Sequence, residues 1–345
     1  MRQFDTGVAP HLPPRRSVTR LMALVLACLL PGALVQAWCF GPGVILQILL
    51  AVLFALLLEA AMLQLRGRPL QPFLTDLSAP LTAALFALSL PPLAPWWLAA
   101  VGMVAAIVVG KHLYGGLGHN PFNPAMVGVA VVLLCFPLEY TQWLQMQSSS
   151  LALPGWRDSL LAILGGELPS PWQWDAISGA TPLDVLRQLD RSGAELDAIV
   201  ADPAWGLLGG RGWEWIAAAY ALGGIALIAR RAVPWQTPAA VIGSVIVISL
   251  PLWWLDPTQH LSPWQHLFSG GLMLCAFFIA TDPVSGCTTA RGRWLFGCGV
   301  GALVLAIRRW GGYPEGVAFA ILLMNCAAPW LDRYSRPRIY GEAKR

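Results

Sequence analysis

The chain has 345 residues, of which 57% are hydrophobic and only 12% charged, with a mean hydropathy of +0.61. That balance excludes an ordinary soluble domain and places the chain among all-α polytopic membrane proteins. Its net charge of +4 calls for no nucleic-acid partner, because a bias of basic residues toward one face of a membrane accounts for it.

Apolar stretches of about 17–25 residues, the length that crosses a bilayer, occur ten times: near 21–40, 44–65, 74–91, 95–112, 122–138, 213–229, 236–254, 264–281, 294–307 and 314–331. The third and fifth are short and carry Pro or Asp at their ends. Trp96-Trp97, Trp213, Trp215, Trp253-Trp254 and Trp330 fall at span ends, where indole rings anchor at headgroup depth. With the N-terminus inside, sixteen of the 22 basic residues are cytoplasmic: Arg2, Arg15, Arg16, Arg20, Arg66, Arg68, Lys111, Arg230, Arg231, Arg291, Arg293, Arg333, Arg336, Arg338, Lys344 and Arg345. Arg157, Arg187, Arg191 and Arg211 lie in one long loop, and long loops translocate regardless of charge. Arg308 and Arg309 are the exception to the bias. Both termini are therefore expected in the cytoplasm and the loop 139–212 in the periplasm. Arg15-Arg16, the apolar 21–30 and Val35-Gln36-Ala37 also resemble a cleavable signal peptide, whose removal would leave an odd number of spans.

Five spans, one hydrophilic loop and five more spans divide the chain into a tail (1–20), a first membrane half (21–138), the loop (139–212), a second half (213–331) and a tail (332–345). An odd number of spans per half makes any repeat inverted. Two short echoes accompany it: Thr75-Asp76-Leu77-Ser78 with Thr281-Asp282-Pro283-Val284-Ser285, and Gly118-His119-Asn120-Pro121 with Gly312-Tyr313-Pro314-Glu315. The loop is rich in Asp and Glu, carries Ser148-Ser149-Ser150, and shows helical patterns at 182–190 and 193–201. It is too small for a sizeable core of its own, so it is expected to fold against the outer span ends and a partner. The seven cysteines form no C-x-x-C pair and lie mostly in apolar spans, where they act as small hydrophobes. The histidines show no bis-His spacing for haem.

Four constellations can carry chemistry. In the loop, Asp175-Ala176-Ile177-Ser178-Gly179-Ala180-Thr181 is small, polar and ends on a hydroxyl. Thr181-Pro182-x-Asp184 is by itself a good helix start, with a hydroxyl cap, proline at the first position and an acid in the first turn. It leaves Asp175, Ser178, Gly179 and Ala180 unexplained, whereas the whole run looks like the D-x-x-S-G-A-T sequence on which a flavin transferase installs FMN through a phosphoester to threonine. A phosphate at a helix N-terminus is also favoured by the free N–H groups, so cap and acceptor are compatible. The second is Gly115-Gly116-Leu117-Gly118-His119-Asn120-Pro121-Phe122-Asn123-Pro124, unwound backbone that a membrane tolerates only inside protein or beside a cavity. Asn120 and Asn123 can bond a second flavin or a partly dehydrated cation, or merely satisfy free carbonyls. The third runs from Ser269-Gly270-Gly271 to Ser285, where Asp282 with Thr281 suits ion handling, flavin binding or a plain helix cap. The fourth is Glu59, an acid inside an apolar run and so a functional candidate, with snorkelling toward Arg66 as the competing account. Asp282, Glu59 and Asp76 are the candidates for ion coupling.

The stretches Gly116–Met126, Ser178–Arg187, Ser269–Ser285 and Gly311–Asp332 resemble the D subunit of Rnf ion-translocating electron-transport complexes. That family is related to the B subunit of the sodium-pumping NADH:quinone oxidoreductase. The likeness covers essentially the whole membrane chain; Gly286-Cys287 departs from the small, cysteine-free pair expected there. It implies ten helices as two five-helix inverted repeats, similar to urea-transporter-like channels, in the bacterial inner membrane. It also implies covalent FMN on Thr181, with riboflavin deeper in the protein by analogy with the related pump. The implied partners are the A, B, C, E and G subunits of the complex and a flavin transferase. Electron flow between ferredoxin and NAD would then be coupled to Na+ or H+ movement, the chain acting within the complex and not catalysing alone. An inverted-repeat transporter or channel without a redox role fits the spans equally, and only Asp175–Thr181 separates the two.

Overall fold

The computed structural model describes residues 17–71, 73–146, 153–166, 168–191, 196 and 200–336. Arg2, Arg15, Arg16, Arg338, Lys344, Arg345, the serines 148–150 and most of the helical pattern at 193–201 lie outside the described residues. The described chain is helical and has no strand, only isolated bridges at Leu144–Ser178 and Trp205–Gly210.

The first half comprises α1 (Val18–Phe40), α2 (Gly43–Leu65), α3 (Ser78–Ala87), α4 (Trp96–Met103), which continues as a π-helix over Val104–His112, and α5 (Pro124–Cys135). Short helices follow: α6 (Pro137–Thr141), α7 (Trp156–Gly165), α8 (Trp174–Ile177) and α9 (Pro182–Arg191). The second half comprises α10 (Trp213–Ala229), α11 (Gln236–Leu255), α12 (Pro263–Leu267), α13 (Leu272–Leu274) continuing as a π-helix over Cys275–Ile279, α14 (Ala290–Trp310) and α15 (Val317–Ser335).

Helices α1, α2, α11 and α14 are long and apolar enough to cross a membrane, while α3, α5, α10 and the Trp96–His112 helix are apolar but shorter. Leu30, Leu34, Trp38, Leu49, Leu53 and Leu57 on α1 and α2 are more than half exposed, an apolar surface that water would not tolerate and hydrocarbon does. The chain is a multi-pass membrane protein.

The third and eighth predicted spans are not continuous helices. In the third, α3 stops ahead of Pro91, Pro92 and Pro95, which cannot continue it. In the eighth, Gly270 adopts φ +66° between α12 and α13. Side chains satisfy much of the backbone freed by these breaks, as a membrane requires. After α3, Ser89 Oγ donates to Leu85 O (2.9 Å); at the Gly270 break, Arg308 Nη2 donates to Ser269 O (2.9 Å) and Gly271 N donates to Glu315 Oε2 (2.9 Å).

The two halves meet where α1 packs on α10 and α5 on α15. Buried Gln36 ties the first contact, accepting from Tyr220 Oη at 2.8 Å and donating to Leu88 O at 3.1 Å. The second is tied where Asn123 N donates to Asn325 Oδ1 at 3.0 Å. One apolar core runs through both halves. A small separate cluster, Val185, Leu196, Trp205 and Leu261, lies under α9.

Candidate functional site

Thr181 is the N-cap of α9, and the cap is reciprocal. Thr181 Oγ donates to Asp184 Oδ2 at 2.6 Å, the Asp184 N–H donates back to Thr181 Oγ at 3.2 Å, and Asp184 Oδ2 also accepts from the Thr181 N–H. Pro182 sits at the first helical position, where its missing N–H costs nothing. The residues before the cap are pinned to the segment 143–145: Gly179 N donates to Trp143 O (3.0 Å), Gln145 N to Ile177 O (2.8 Å) and Gln145 Nε2 to Ser178 O (3.0 Å). A Cβ at Gly179 would lie 2.5 Å from Gln145 Cγ, so glycine is what lets the run approach that segment. Asp175 lies in α8 and is exposed, as is Ala180; Ser178 is half-buried.

The Thr181 side opens on a cleft of about 910 Å³. Its walls are apolar and aromatic, with Met126, Val129 and Leu133 of α5 facing Trp143, Trp213 and Tyr313. Trp143 and Trp213 hold each other at 5.2 Å between ring centroids. The polar edge is Asp184, Glu315 and the backbone of Gly270 and Gly271. Glu315 accepts from Gly271 N (2.9 Å) and pairs with Arg308 Nη2 (3.0 Å), which also donates to Ser269 O. At Gly270 a Cβ would run into the Glu315 carboxylate, so glycine is required there by space as well as by its positive φ. Burial raises the Asp184 carboxyl above its usual range, against the opposing pull of the Thr181 hydrogen bonds and of Arg187.

Asn120, Asn123, Asp282, Ser78 and Lys111 converge on a second cavity of about 1190 Å³. It shares a wall with the first: Ala125 lines the second and Met126 the first, Phe278 the second and Ile279 the first. Asn123 caps α5 through Met126 N (3.3 Å) and Asn120 Nδ2 donates to Phe122 O (3.0 Å). Asn120 Oδ1 is buried with no hydrogen-bond partner among the described residues, an acceptor turned toward no protein donor. Asp282 accepts from Ser285 Oγ at 2.6 Å and from Val284 N at 3.3 Å, the bonds of a local cap.

Glu59 does not snorkel to Arg66. Its two oxygens each lie 2.8 Å from Lys111 Nζ, at the end of the π-helix, and Lys111 also donates to Ser78 Oγ at 2.9 Å. Ser78 in turn donates to Asp76 Oδ1 from both N (2.7 Å) and Oγ (2.6 Å). On the other side His112 Nε2 is 3.1 Å from Glu59, and His112 Nδ1 is 3.2 Å from Arg66 Nη1. A guanidinium only donates, so Nδ1 accepts and the ring proton sits on Nε2, which lies close to Glu59 without a well-aligned hydrogen bond to it. Two of the three ion-coupling candidates, Glu59 and Asp76, thus belong to one chain of bonds with Lys111 at its centre. Arg66 and Lys111 balance Glu59 and Asp76. Lys111 and Arg308 went unrecognised as site residues in the sequence; a cation inside an apolar run, with an acid inside another, was the available signal for the first.

Residues 6–341 match the NQR2, RnfD, RnfE family. Curated relatives whose names make them the D subunit of an ion-translocating oxidoreductase complex are similar along nearly their whole length. One from Pseudomonas aeruginosa is 50% identical over 97% of this chain and 95% of its own. Those from Escherichia fergusonii and Cronobacter sakazakii are 44% identical, over 99% and 98% of this chain and 99% of each relative. The chain therefore belongs to the NQR2, RnfD, RnfE family.

Proposed function

We propose that the protein is a membrane component of an ion-translocating oxidoreductase complex and that it carries FMN as a phosphoester on Thr181. The observation that carries this is a threonine hydroxyl at a helix N-terminus, opening on an aromatic-walled cleft. FMN bound there would supply electron transfer; the protein's part is to hold it. The first-turn amides of α9 would favour the phosphate, and Trp143, Trp213 and Tyr313 would offer the ring an apolar bed. Esterification removes the proton that Asp184 accepts and puts an anion beside it. Burial raises the Asp184 carboxyl above its usual range, which would lessen its repulsion of that anion.

The second cavity suits a non-covalent flavin such as riboflavin, held by Asn120 and Asn123, with Asp282, Glu59 and Asp76 as candidates for coupling to Na+ or H+. An electron added about 10 Å from a cation attracts it by about 1.7 kcal/mol at an effective dielectric of about 20. That is more than tenfold in affinity. The A, B, C, E and G subunits of the complex and a flavin transferase are the partners this function requires.

The topology belongs to the same proposal: ten spans in the inner membrane as two inverted halves, 21–138 and 213–331, with the loop 139–212 periplasmic and the tails 1–20 and 332–345 cytoplasmic. It is supported by Lys111 and Arg308. Each is a buried cation near the end of the fourth long helix of its half, bonded to that half's interrupted third span, Lys111 to Ser78 at its helix start and Arg308 to Ser269 at its break. Arg308, an exception to the charge bias, is thereby used internally.

In-gel flavin fluorescence of the denatured protein, produced with its transferase, tests the proposal. The band should vanish in Thr181→Ala, and a band retained at full strength would move the flavin elsewhere. A transporter without a redox role would give no band from either protein.

A further inference from the structure

Lys111 Nζ is held as a bound cation would be. Both Glu59 oxygens lie 2.8 Å from it and Ser78 Oγ lies 2.9 Å away, and Glu59, Lys111 and Ser78 are all buried. The Ser78 hydroxyl donates its own proton to Asp76 Oδ1 at 2.6 Å, so its oxygen meets Nζ with lone pairs. Two carboxylate oxygens and a hydroxyl oxygen with its proton turned away form an oxygen set of the kind hard cations take. Its occupant here is a cation tethered to the π-helix.

A tethered cation can move aside without leaving the protein. Lys111 and Ser78 line the second cavity, about 1190 Å³, and Glu59 is not among the residues that line it. Lys111 thus joins a carboxylate outside the cavity to the cavity itself. Asn120 lines the same cavity and is 4% exposed, and its Oδ1 has no hydrogen-bond partner among the described residues. The cavity therefore offers a displaced ammonium both room and an acceptor. Glu59 carries a single negative charge, so a monovalent ion can replace the ammonium on it, whereas a divalent one would leave an uncompensated buried charge.

We propose that Lys111 is a built-in competitor for a monovalent inorganic cation at Glu59 and Ser78, the cation binding there only when the ammonium swings into the second cavity. The proposal deepens the reading of Glu59 as a coupling residue and rests on that reading. It needs no flavin, so it can fail while Thr181 keeps its FMN.

The test is carbodiimide labelling of Glu59 in the whole purified complex, read by peptide mass in choline chloride, NaCl, KCl or MgCl2 of equal ionic strength. Wild type, with Lys111 on the carboxylate, should label little in any salt. Lys111→Met should label in choline chloride. Na+ or K+ at about ten times its dissociation constant should suppress that labelling about tenfold, by mass action, and Mg2+ should not. Lys111→Gln should behave in the same way and serves if Lys111→Met fails to assemble. Ser78→Ala added to either variant should weaken the protection, because one oxygen ligand is lost. Labelling that neither Na+ nor K+ changes would overturn the proposal, as would equal protection by Mg2+. Wild-type labelling protected as fully as that of the variants would show that Lys111 does not compete. Variants that stay unlabelled in choline chloride would overturn it too, since a group other than Lys111 would then cover Glu59.

Discussion

Glu59→Gln removes a buried carboxylate whose two oxygens are each 2.8 Å from Lys111 Nζ, with both side chains about 2% exposed. The variant leaves the ammonium buried against neutral acceptors, Ser78 Oγ and the amide oxygen, with the paired carboxylate gone. Breaking a buried ion pair from one side typically costs about 3–5 kcal/mol, because the surviving charge stays desolvated. Lys111→Met should cost less. His112 Nε2 still lies 3.1 Å from Glu59, so the surviving carboxylate keeps a polar neighbour. The double variant should recover most of the loss, since neither charge remains. Reversible unfolding in mixed micelles, followed by fluorescence for wild type, both singles and the double, yields the coupling energy. A coupling above about 2 kcal/mol, with Glu59→Gln the worse single, is expected. A value below about 1 kcal/mol is what hydrated surface pairs give, and it would refute the description of this cluster as a dry ion pair.

Asp282→Asn should lower ion-coupled turnover more than flavin content, both measured on the purified complex; normal pumping with full flavin would reduce Asp282 to the cap of the Val284–Ser285 turn. Asp184 has a pKa raised by burial, so its ionised form costs stability at neutral pH, and that cost is relieved as pH falls through the raised value. Asp184→Asn should therefore flatten the pH dependence of proteolytic protection around residues 175–191; an unchanged profile would show that Asp184 titrates normally. Reporter fusions after residue 150 and at residue 345 should report opposite sides of the membrane, and the same side for both would overturn the five-plus-five arrangement.

The start of α9 was legible in the sequence because it is local: Thr181-Pro182-x-Asp184 specifies its own cap. Asn123 and Thr289 open α5 and α14 through their side chains in the same way, though the sequence reading gave them no such role. The buried acid at Glu59 was legible because hydrocarbon surrounds it in the sequence. Its partner was not: Lys111 stands 52 residues away and reads as one more cytoplasmic cation until α2 and the π-helix are packed together. The π-helical stretches Val104–His112 and Cys275–Ile279 were equally hidden, because one inserted residue per turn leaves an all-apolar pattern unchanged. Proline at the end of the third span was visible in the sequence, but the break at Gly270 in the eighth was not, and only the packed structure shows which side chains repair them.

The most direct measurement is peptide mass analysis of the protein isolated from its own membrane complex. Trypsin cuts after Arg157 and Arg187, releasing residues 158–187 with Thr181 inside. Covalent FMN on Thr181 predicts that this peptide is fluorescent, heavier by FMN less one water, and fragments to place the flavin on that threonine. An unmodified 158–187 peptide, or a flavin found on any other peptide of this chain, would contradict it.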